Sequence, residues 1–373
     1  MEIPGISLCM IVKDEAELIE RAIIAAKPLV EEIVIVDTGS SDSTPNIARD
    51  LGAKVFYRQW NNNFAEMRNF SIQQATQPYV LVIDADEVIV ERDMDILQAL
   101  FRKIDENPGS VGAITVLNET VSGDISVSMV PRIFPRNFHY SYKGKIHEQI
   151  NFRGKPIQHT YESSIKAEHL GYTQSQILKK DKYERNLALL MQELAESSDR
   201  SYIHFQIGRT YFVMKSYVQA EHFLNKCIEV ELKNEKRAFL STALLTLGYS
   251  YIYLQKFDAL QACYKLALDL FPDYTDLYFM YGVGLIESRS LHAFREIPVA
   301  FKKCIEMGEA SRIKYETVTG VGSFKAHYNL ALYYELNGDL QNAMSHYQYS
   351  SRDGYVQAKE RLDRLILRKG LPK

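Results

Sequence analysis

Two runs of apolar residues that end on carboxylates constrain the fold of this chain more than any other feature. Tyr79–Ile83 is such a run, and three acids follow it within four positions, namely Asp84, Asp86 and Glu87. Ile33–Val36 is the second run and ends on Asp37. Short continuous apolar runs are typical of strands buried on both faces of a parallel sheet. Because carboxylates are costly to bury unpaired, we predict that both strands end here, at an edge facing solvent or a ligand.

Strand and helix patterns alternate through the first 90 residues. Ile6–Val12 and Lys54–Tyr57 are further predicted strands. Helices are predicted to begin at Asp14, at Thr44 as an N-cap, and at Phe64. This alternation with short connections is typical of a doubly wound parallel α/β sheet. Since parallel strands end on the same edge of a sheet, we expect the acids at positions 37, 84 and 86 to converge there.

The acids at positions 84 and 86, on a turn that leaves a strand, suit a hard divalent cation that also holds phosphate groups. The alternative is a plain acidic loop after a strand. The polar turn 38–44 has neither common glycine-rich phosphate-binding pattern, so phosphates would depend on the cation and on a basic residue. Arg68 is the candidate for that residue, and its alternative role is a solvated charge on a helix.

Composition and charge exclude several classes of function. A formal net charge of −3 over 373 residues gives no electrostatic basis for binding nucleic acid. The four cysteines are widely scattered, which favours reduced thiols and a cytoplasmic location over a disulfide framework. No apolar run reaches about 18 residues, so no transmembrane segment is predicted. Charged residues follow the run at Ile6 directly, which favours a strand over a signal peptide.

Four segments, in this order and spacing, resemble the donor-binding half of family 2 glycosyltransferases of the GT-A fold. These segments are Ser7–Glu15, Val36–Thr44, Phe64–Asn69 and Ile83–Glu87. The resemblance implies a UDP-hexose donor, with Asp37 hydrogen-bonded to the uracil and Arg68 in contact with the nucleotide. It also implies that Asp86, with Asp84 nearby, contacts Mn²⁺ or Mg²⁺ and the diphosphate. Three further donor-binding positions are implied, namely Met10, Val12 and Ala85.

Two later segments resemble the acceptor-side motifs of the same transferases. Gly144–Glu148 matches their G-x-x-H-E segment, and His169–Tyr172 matches their H-x-G-Y segment. Inverting transfer needs a base within hydrogen-bond reach of the acceptor proton and a Lewis acid on the departing diphosphate. We therefore assign Glu148 as the base and His169 as a metal ligand, with His147 as an acceptor-side or alternative metal group. A structural histidine is the alternative for His169.

The second half of the chain has a different pattern. From about residue 173 the apolar period changes from 2 to 3.6, and small residues recur at Gly208, Gly248, Gly282 and Ala331. This pattern resembles a degenerate tetratricopeptide array with insertions near 286–297 and 310–324. We predict a GT-A domain at 1–173, a connecting helix at 174–200 and helical repeats at 201–373. Such repeats offer a surface to a peptide acceptor or to a second copy in a homodimer, and the alternative is a structural cap.

The combination of the two halves resembles the peptide S-glycosyltransferases that modify bacteriocins of the sublancin type. It implies a metal-dependent, inverting enzyme that moves a hexose from a UDP-sugar to a Cys or Ser side chain of a peptide. Two alternatives remain open. The acceptor can be a glycan or lipopolysaccharide, and the chain can be a non-enzymatic scaffold with an inactive transferase domain. Motif spacing does not select the hexose, because that choice depends on a few hydroxyl contacts.

Overall fold

The computed structural model describes residues 4–119, 125–137, 139–170, 176–196, 200–234, 239–352 and 354–369. The chain divides into two compact units, Met1–Ser197 and Ser198–Lys373. The first is a mixed α/β unit of the GT-A type and the second is helical, as the sequence predicted. The domain boundaries proposed at 173 and 200 stay predictions. None of the helices in the described ranges is both long and apolar enough to cross a membrane.

The first unit contains a large sheet, a small sheet and five helices within the described residues. The large sheet has β1 Ile6–Val12, β2 Glu32–Asp37, β3 Lys54–Tyr57, β4 Tyr79–Val82, β5 Glu87–Glu91, β6 Ser110–Glu119, β7 Ile125–Pro135 and β11 His159–His169. The small antiparallel sheet has β8 Tyr140–Lys143, β9 Gln149–Phe152 and β10 Lys155–Pro156. The helices are α1 Ile19–Ala26, α2 Thr44–Asp50, α3 Phe64–Gln74, α4 Met94–Glu106 and α5 Gln176–Glu196.

The large sheet has the strand order β3-β2-β1-β4-β7-β6-β11-β5. The first four strands are parallel, as predicted. β7 pairs antiparallel with both β4 and β6, and β5 pairs antiparallel with β11, so the sheet is parallel over β1 to β4 and mixed beyond them. The reason is that β6 and β7 follow each other as antiparallel neighbours, without a crossover helix between them. The sequence also indicates a turn at residues 122–124, which lie outside the described residues.

Two cores lie on opposite faces of the large sheet. On one face, Leu8 of β1 belongs to a core with Ile23 of α1 and Leu100 of α4. On the other face, Cys9 belongs to a core with Ile72 of α3 and with the small sheet. Successive side chains of a strand point to opposite faces, so β1 contributes to both cores. The continuous apolar strands predicted from the sequence are therefore buried on both faces.

Two helix starts differ from the prediction. Asp14 has a left-handed backbone (φ 55°) and its Oδ1 accepts a 2.7 Å hydrogen bond from the backbone N of Ser41, whereas α1 begins at Ile19. Thr44 is the first residue of α2 rather than its N-cap, and its hydroxyl accepts a 2.8 Å bond from the N of Glu15. The side chains of Asp14 and Thr44 could each cap a helix, but both instead bond to the opposite turn. They therefore connect the turn after β1 to the turn after β2.

The second unit consists of helical pairs followed by a last helix, as far as the structure describes it. The helices are α6 Ser201–Val213, α7 Tyr217–Glu231, α8 Leu240–Tyr253, α9 Phe257–Leu270, α10 Thr275–Glu287, α11 Leu291–Met307, α12 Phe324–Leu336, α13 Leu340–Arg352 and α14 Val356–Lys369. A two-residue strand, β12 Thr317–Val318, precedes α12. The four recurring small residues each lie in the first helix of a pair. This agrees with the predicted repeat array.

The recurring glycines allow close contacts between helices. A Cβ at Gly208 would lie 2.7 Å from the Leu224 side chain of α7, and one at Gly282 would lie 2.8 Å from the Phe301 ring of α11. The extra residues predicted near 286–297 do not form a separate inserted segment, because α10 ends at Glu287 and α11 begins at Leu291. The extra residues lengthen α11, which has 17 residues.

An extra segment, 308–323, joins α11 to α12 and bonds to the first helices of earlier pairs. The Oε1 of Glu316 accepts a 2.7 Å bond from Nη2 of Arg209 on α6. Asp276 on α10 accepts bonds from the Thr317 hydroxyl (2.6 Å) and from the N of Val318 (2.9 Å). Because α8 contacts both α6 and α10, this segment extends along the layer formed by the first helices.

Candidate active site

The carboxyl ends of β2 and β4 lie on one edge of the sheet, with β1 between them. Val12 of β1 is paired with Asp37 of β2, and Cys9 of β1 is paired with Val82 of β4. Neighbouring strands lie about 4.8 Å apart, so β2 and β4 are roughly 10 Å apart across the sheet. Asp37 and the acids that follow β4 therefore lie on the same edge of the sheet.

Asp37 has one oxygen bonded and one buried without a partner. Its side chain is 2% exposed. Oδ1 accepts 3.0 Å hydrogen bonds from the backbone N atoms of Gly39 and Ser40, which fixes the turn after β2. Oδ2 is buried and has no hydrogen-bond donor in the structure. A buried acceptor without a partner is costly, so this position favours a ligand that brings an N–H or O–H group.

Helix α3 carries Arg68 into the interior below this edge. The Asn63 side chain caps the helix by accepting a 3.1 Å bond from the N of Glu66. The Asn69 side chain makes two hydrogen bonds to the backbone of Tyr142 in β8, with lengths of 2.9 Å and 2.7 Å. Arg68, the preceding residue, is only 6% exposed, so the alternative of a solvated helix charge does not apply.

Asp84 is held between two buried arginines. Its Oδ1 accepts a 2.7 Å bond from Nη2 of Arg68, and its Oδ2 accepts a 3.0 Å bond from Nη2 of Arg132. Burial by itself raises the pKa of the Asp84 carboxyl, but the two guanidiniums hold that pKa well below its usual range. Likewise, burial lowers the pKa of Arg68, yet Asp84 and Glu148 raise it above its ordinary value. Asp84 is therefore an ionised partner of these arginines.

Asp86 faces a histidine instead. Its Oδ2 lies 2.9 Å from Nε2 of His169, and Nδ1 of His169 lies 2.9 Å from Oδ1 of Asn118. The backbone N of Leu170 donates a 2.7 Å bond to the carbonyl of Asp86, which ties the end of β11 to this turn. A neutral imidazole has one N–H, so it can donate to only one of two acceptor oxygens. When Nδ1–H donates to Asn118, a proton or a metal ion is needed between Nε2 and Asp86.

The Asp86–His169 pair fits part of a metal site. Adjacent ligands of an octahedral ion with bond lengths of about 2.1 Å are about 3 Å apart, close to the separation observed. Asn118 orients the imidazole from the far side, as partners of metal-bound histidines commonly do. No group of three or more His, Cys, Asp or Glu side chains suited to a metal occurs within the described ranges. The predicted ligand set of Asp84, Asp86 and His169 stays a prediction, and in the structure both carboxylate oxygens of Asp84 are bonded to arginines.

Glu148 and His147 lie on the loop between β8 and β9. Oε1 of Glu148 accepts a hydrogen bond from Nε of Arg68, and the Glu148 side chain is 10% exposed. His147 is exposed and has a left-handed backbone, with φ 52°. Glu148 is therefore largely buried beside Arg68, whereas the side chain of its neighbour His147 is exposed. Glu148 belongs to the same chain of charges as Asp84, through Arg68.

The remaining predicted positions are backbone or core positions. Met10 is fully buried, and Val12 and Ala85 are each 3% exposed, with all three side chains in the core of the first unit. The carbonyl of Val12 accepts bonds from both the N and the hydroxyl of Thr38. Gly171 and Tyr172, the end of the H-x-G-Y segment, lie outside the described residues.

Two residues of this site were not predicted. Arg132 is 8% exposed and bridges Asp84 and Glu87. In the sequence Arg132 is the single cation in the apolar stretch that forms β7, and no role in the site was predicted for it. Asn118 orients His169 and had no signal beyond being a polar residue near the end of a strand.

A cleft of about 600 Å³ lies beside α3, near the Glu148 loop. Its lining comes from α3, from the end of β8 and from the end of α5, and includes Asn69, Tyr142, Gly144, Lys145 and Glu193. A Cβ at Gly144 would lie 3.4 Å from Cα of Glu148, so the cleft reaches the loop that carries the predicted base.

Comparison with known families matches the two units separately. Residues 7–165 match glycosyl transferase family 2, and residues 241–274, which include α8 and α9, match a tetratricopeptide repeat. Residues 313–367 match a domain of unknown function. The resemblance drawn from the sequence motifs, a family 2 glycosyltransferase domain followed by tetratricopeptide-like repeats, is confirmed.

Individual relatives resemble parts of the chain. A TPR repeat-containing protein of Synechococcus elongatus is 30% identical over 54% of this chain and 51% of its own length. The SPbeta prophage-derived glycosyltransferase SunS of Bacillus subtilis is 26% identical over 65% of this chain and 58% of its own length. The chain therefore spans little more than half of these curated relatives. A solved glucosyl-3-phosphoglycerate synthase from Mycobacterium tuberculosis, in complex with Mn²⁺, UDP and glucosyl-3-phosphoglycerate, is 21% identical over 31% of this chain and 44% of its own, with a TM-score of 0.25.

Proposed function

We propose that this chain, whose residues 7–165 match glycosyl transferase family 2, transfers a hexose from a UDP-sugar to an acceptor at the edge formed by the ends of β2 and β4. The observation that carries the proposal is the buried acceptor oxygen of Asp37, which has no donor in the structure. On the same edge, Oδ2 of Asp86 lies 2.9 Å from Nε2 of His169, a separation that suits two adjacent ligands of one cation. Asp37 binds the base of the nucleotide and Asp86 binds its diphosphate end.

The uracil base is the part of the donor that fits Asp37. Uracil carries an N–H group between its two carbonyls, and Oδ2 of Asp37 accepts from it while Oδ1 stays bonded to the turn. Cytosine has an unprotonated nitrogen at the same position, so it would face the carboxylate with a second acceptor. This difference favours UDP over CDP donors.

Asp86 and His169 would hold the divalent ion, Mn²⁺ or Mg²⁺, together with the diphosphate. Such ions are commonly bound by one or two protein groups plus substrate phosphates and water, so two protein ligands suffice. The ion supplies Lewis-acid stabilisation of the charge that develops on the leaving diphosphate. Arg68 contributes its remaining donor, Nη1, which is buried and without a partner.

Glu148 acts as the base in an inverting displacement. The acceptor thiol or hydroxyl attacks the anomeric carbon, and a C–S or C–O bond forms while the bond from that carbon to the diphosphate oxygen breaks. UDP leaves with the bonding electron pair, and the acceptor proton passes to the carboxylate. Arg68 holds Oε1 of Glu148, which orients the other oxygen toward the acceptor. His147, exposed next to it, is proposed to contact the acceptor.

The base assignment is tested with Glu148→Gln. Glutamine keeps the size and an acceptor for Arg68 but cannot take a proton at neutral pH. UDP binding is expected to stay within about twofold, while transfer falls about 10²- to 10⁴-fold. Turnover near that of the wild type would remove Glu148 from the role of base.

The acceptor is proposed to be a Cys or Ser side chain of a peptide. The cleft of about 600 Å³ beside the Glu148 loop accommodates an extended chain and carries both charges, with Lys145 and Glu193 in its lining. The similarity to the glycosyltransferase SunS, over 65% of this chain, supports the sublancin-type alternative over a glycan or lipopolysaccharide acceptor. The 308–323 segment covers part of the first-helix layer, so the repeats would present a peptide elsewhere.

The proposal is tested by measuring UDP release from UDP-glucose, UDP-N-acetylglucosamine and UDP-galactose, with GDP-mannose as the comparison. We expect release with one UDP-hexose, dependent on Mn²⁺ or Mg²⁺, and an increase when a Cys-containing peptide is added. Absence of hydrolysis and transfer with every donor would favour the non-enzymatic scaffold instead. The hexose, a homodimer through the repeats and a cytoplasmic location stay predictions.

A further inference from the structure

We propose that Arg132 is a positioning residue that fixes the turn carrying Asp86 for metal-dependent binding of the nucleotide. The inference rests on the proposed function and concerns the same edge of the sheet. Arg132 lies in β7, next to Ile133, which is paired with Leu81 of β4. The antiparallel pairing brings a guanidinium from the middle of an apolar strand to the end of β4, where the acids begin.

The turn from Asp84 to Glu87 is closed by hydrogen bonds that depend on Arg132. Oε2 of Glu87 accepts a 2.9 Å bond from the N of Asp84, and the N of Glu87 donates a 3.0 Å bond to the carbonyl of Asp84. Nη2 of Arg132 then bridges Oε1 of Glu87 (3.1 Å) and Oδ2 of Asp84 (3.0 Å). One buried guanidinium therefore holds both ends of the turn on which Asp86 lies.

Removal of Arg132 would affect this turn more than its surroundings. Glu87 is 5% exposed, and within the described contacts Arg132 provides its ion pair. A buried carboxylate without a counter-ion takes up water or moves, because isolated charges are costly to bury. Asp84 would keep Arg68, so the effect would fall on the Glu87 end and on Asp86 between the two. Asp37, on β2, takes no part in these contacts.

This separation gives a specific prediction for nucleotide binding. The part of UDP affinity that depends on Mn²⁺ needs Asp86 in its place, and so needs Arg132. The part of the affinity that depends on contacts to the uracil needs Asp37 and does not need Arg132. A merely structural role for Arg132 would lower thermal stability without separating these two parts of the affinity.

The experiment is calorimetric titration of UDP into the full chain, with and without Mn²⁺. In Arg132→Met, metal-free affinity for UDP is expected to stay within about threefold of the wild type, while the gain on adding Mn²⁺ falls at least tenfold. Arg132→Lys is expected to lie between the two, since an ammonium keeps the charge but the lysine side chain does not reach as far as Nη2, the atom that contacts both carboxylates. Arg136→Met is the matched control, because Arg136 is exposed and its Nε bonds the carbonyl of Gln77.

Each outcome decides the inference. A wild-type Mn²⁺ effect in folded Arg132→Met would overturn it, while the proposed function would stand. If Arg132→Met does not fold, Arg132→Lys serves in its place, and an undiminished Mn²⁺ effect in that variant also overturns the inference. Absence of any Mn²⁺ effect on UDP binding by the wild type would instead remove the proposed metal site, and the inference with it, whereas the proposed transfer is tested separately by UDP release.

Discussion

At the scale of single residues, the two aspartates of the acidic turn have different roles. Asp84 makes ion pairs to Arg68 and Arg132, whereas Asp86 faces His169. The difference follows from the neighbouring side chains, because both carboxylates are partly exposed but Asp84 lies between two buried guanidiniums, which need a counter-ion. Mutations of the two should therefore have different effects.

Asp84→Asn is expected to destabilise the first unit strongly, by about 3–5 kcal/mol, since it leaves two buried guanidiniums short of a partner. Asp86→Asn, the matched control two residues away, should cost less than about 1 kcal/mol and should act on metal-dependent binding instead. Chemical denaturation of the full chain, followed by a probe of the first unit, gives both values. Equal destabilisation by the two variants would contradict the assignment.

Asp37 determines which base is bound, so its substitution should change base preference. Asp37→Asn keeps Oδ1 for the turn and replaces the acceptor Oδ2 with an N–H donor. UDP affinity is expected to fall by about 1–3 kcal/mol, or roughly 5- to 150-fold, while CDP affinity should rise relative to UDP. Competition titrations of UDP against CDP measure the ratio. An unchanged preference would exclude contact between Asp37 and the base.

The sequence singled out individual residues of the candidate site more readily than their contacts. Asp37, Asp86, His169 and Arg68 were chosen because acids at strand ends and ordered motifs are local features, and the roles of these residues stay predictions. The sequence did not predict the ion pairs between Asp84 and the two arginines. Arg132 comes from a strand 48 residues later, and no local pattern indicates that this strand pairs antiparallel with β4. Membership of a site can follow from motif order, whereas the choice of partner depends on tertiary packing.

At the scale of elements, the 308–323 segment is the feature that a repeat pattern does not predict. Tyr315 stacks on Tyr274 with ring centroids 4.2 Å apart, and the Tyr274 hydroxyl donates to the carbonyl of Glu316. Sequence alone located the extra residues near 310–324, since they interrupt the helical period. It could not show that they bond to α6 and α10, because those contacts join positions up to 107 residues apart.

Asp276, which holds this segment, should make stability depend on pH. Burial raises the pKa of its carboxyl to about 7, above the value of about 3.9 in unfolded chains. The folded state therefore binds the proton more tightly, and this contribution is complete below about pH 4 and lost as pH rises through about 7. The loss is ~1.4 kcal/mol for each unit by which the pKa is raised.

The test compares unfolding free energies of the wild type and Asp276→Asn between pH 5 and 8. Asparagine cannot titrate, so the decrease in unfolding free energy with rising pH that we assign to Asp276 should disappear in the variant. Asp273→Asn is the control, because Asp273 is exposed and pairs with Lys314, which lowers its pKa. A slope retained in Asp276→Asn would show that another group causes it.

The glycines of the helical pairs make a second prediction at this scale. Gly282→Ala would place a methyl group 2.8 Å from the Phe301 ring, which is fully buried and has no room to move. The expected cost is about 1–3 kcal/mol. Gly248→Ala, whose Cβ would meet the flexible Met280 side chain, is the milder comparison. Thermal unfolding of the second unit measures both, and an equal or reversed order would contradict the packing argument.

At the scale of the whole molecule, the chain contains a unit that matches glycosyl transferase family 2 over residues 7–165, and helical repeats of which residues 241–274 match a tetratricopeptide repeat. Both classes followed from the sequence, because a change of apolar period from 2 to 3.6 is visible without a structure. The mixed order of the large sheet did not follow, since strand direction after β4 depends on which neighbours pair. The sequence also did not identify the acceptor, because no residue within the motifs distinguishes a peptide acceptor from a glycan acceptor.

The central claim is that one edge of the sheet binds a nucleotide sugar through Asp37 at one end and an ion on Asp86 at the other. Titration of UDP into the wild type and Asp86→Ala, with and without Mn²⁺, tests it most directly. The account predicts that Mn²⁺ tightens UDP binding at least tenfold in the wild type and has no effect in the variant, whose metal-free binding is retained. An equal Mn²⁺ effect in both proteins would contradict it.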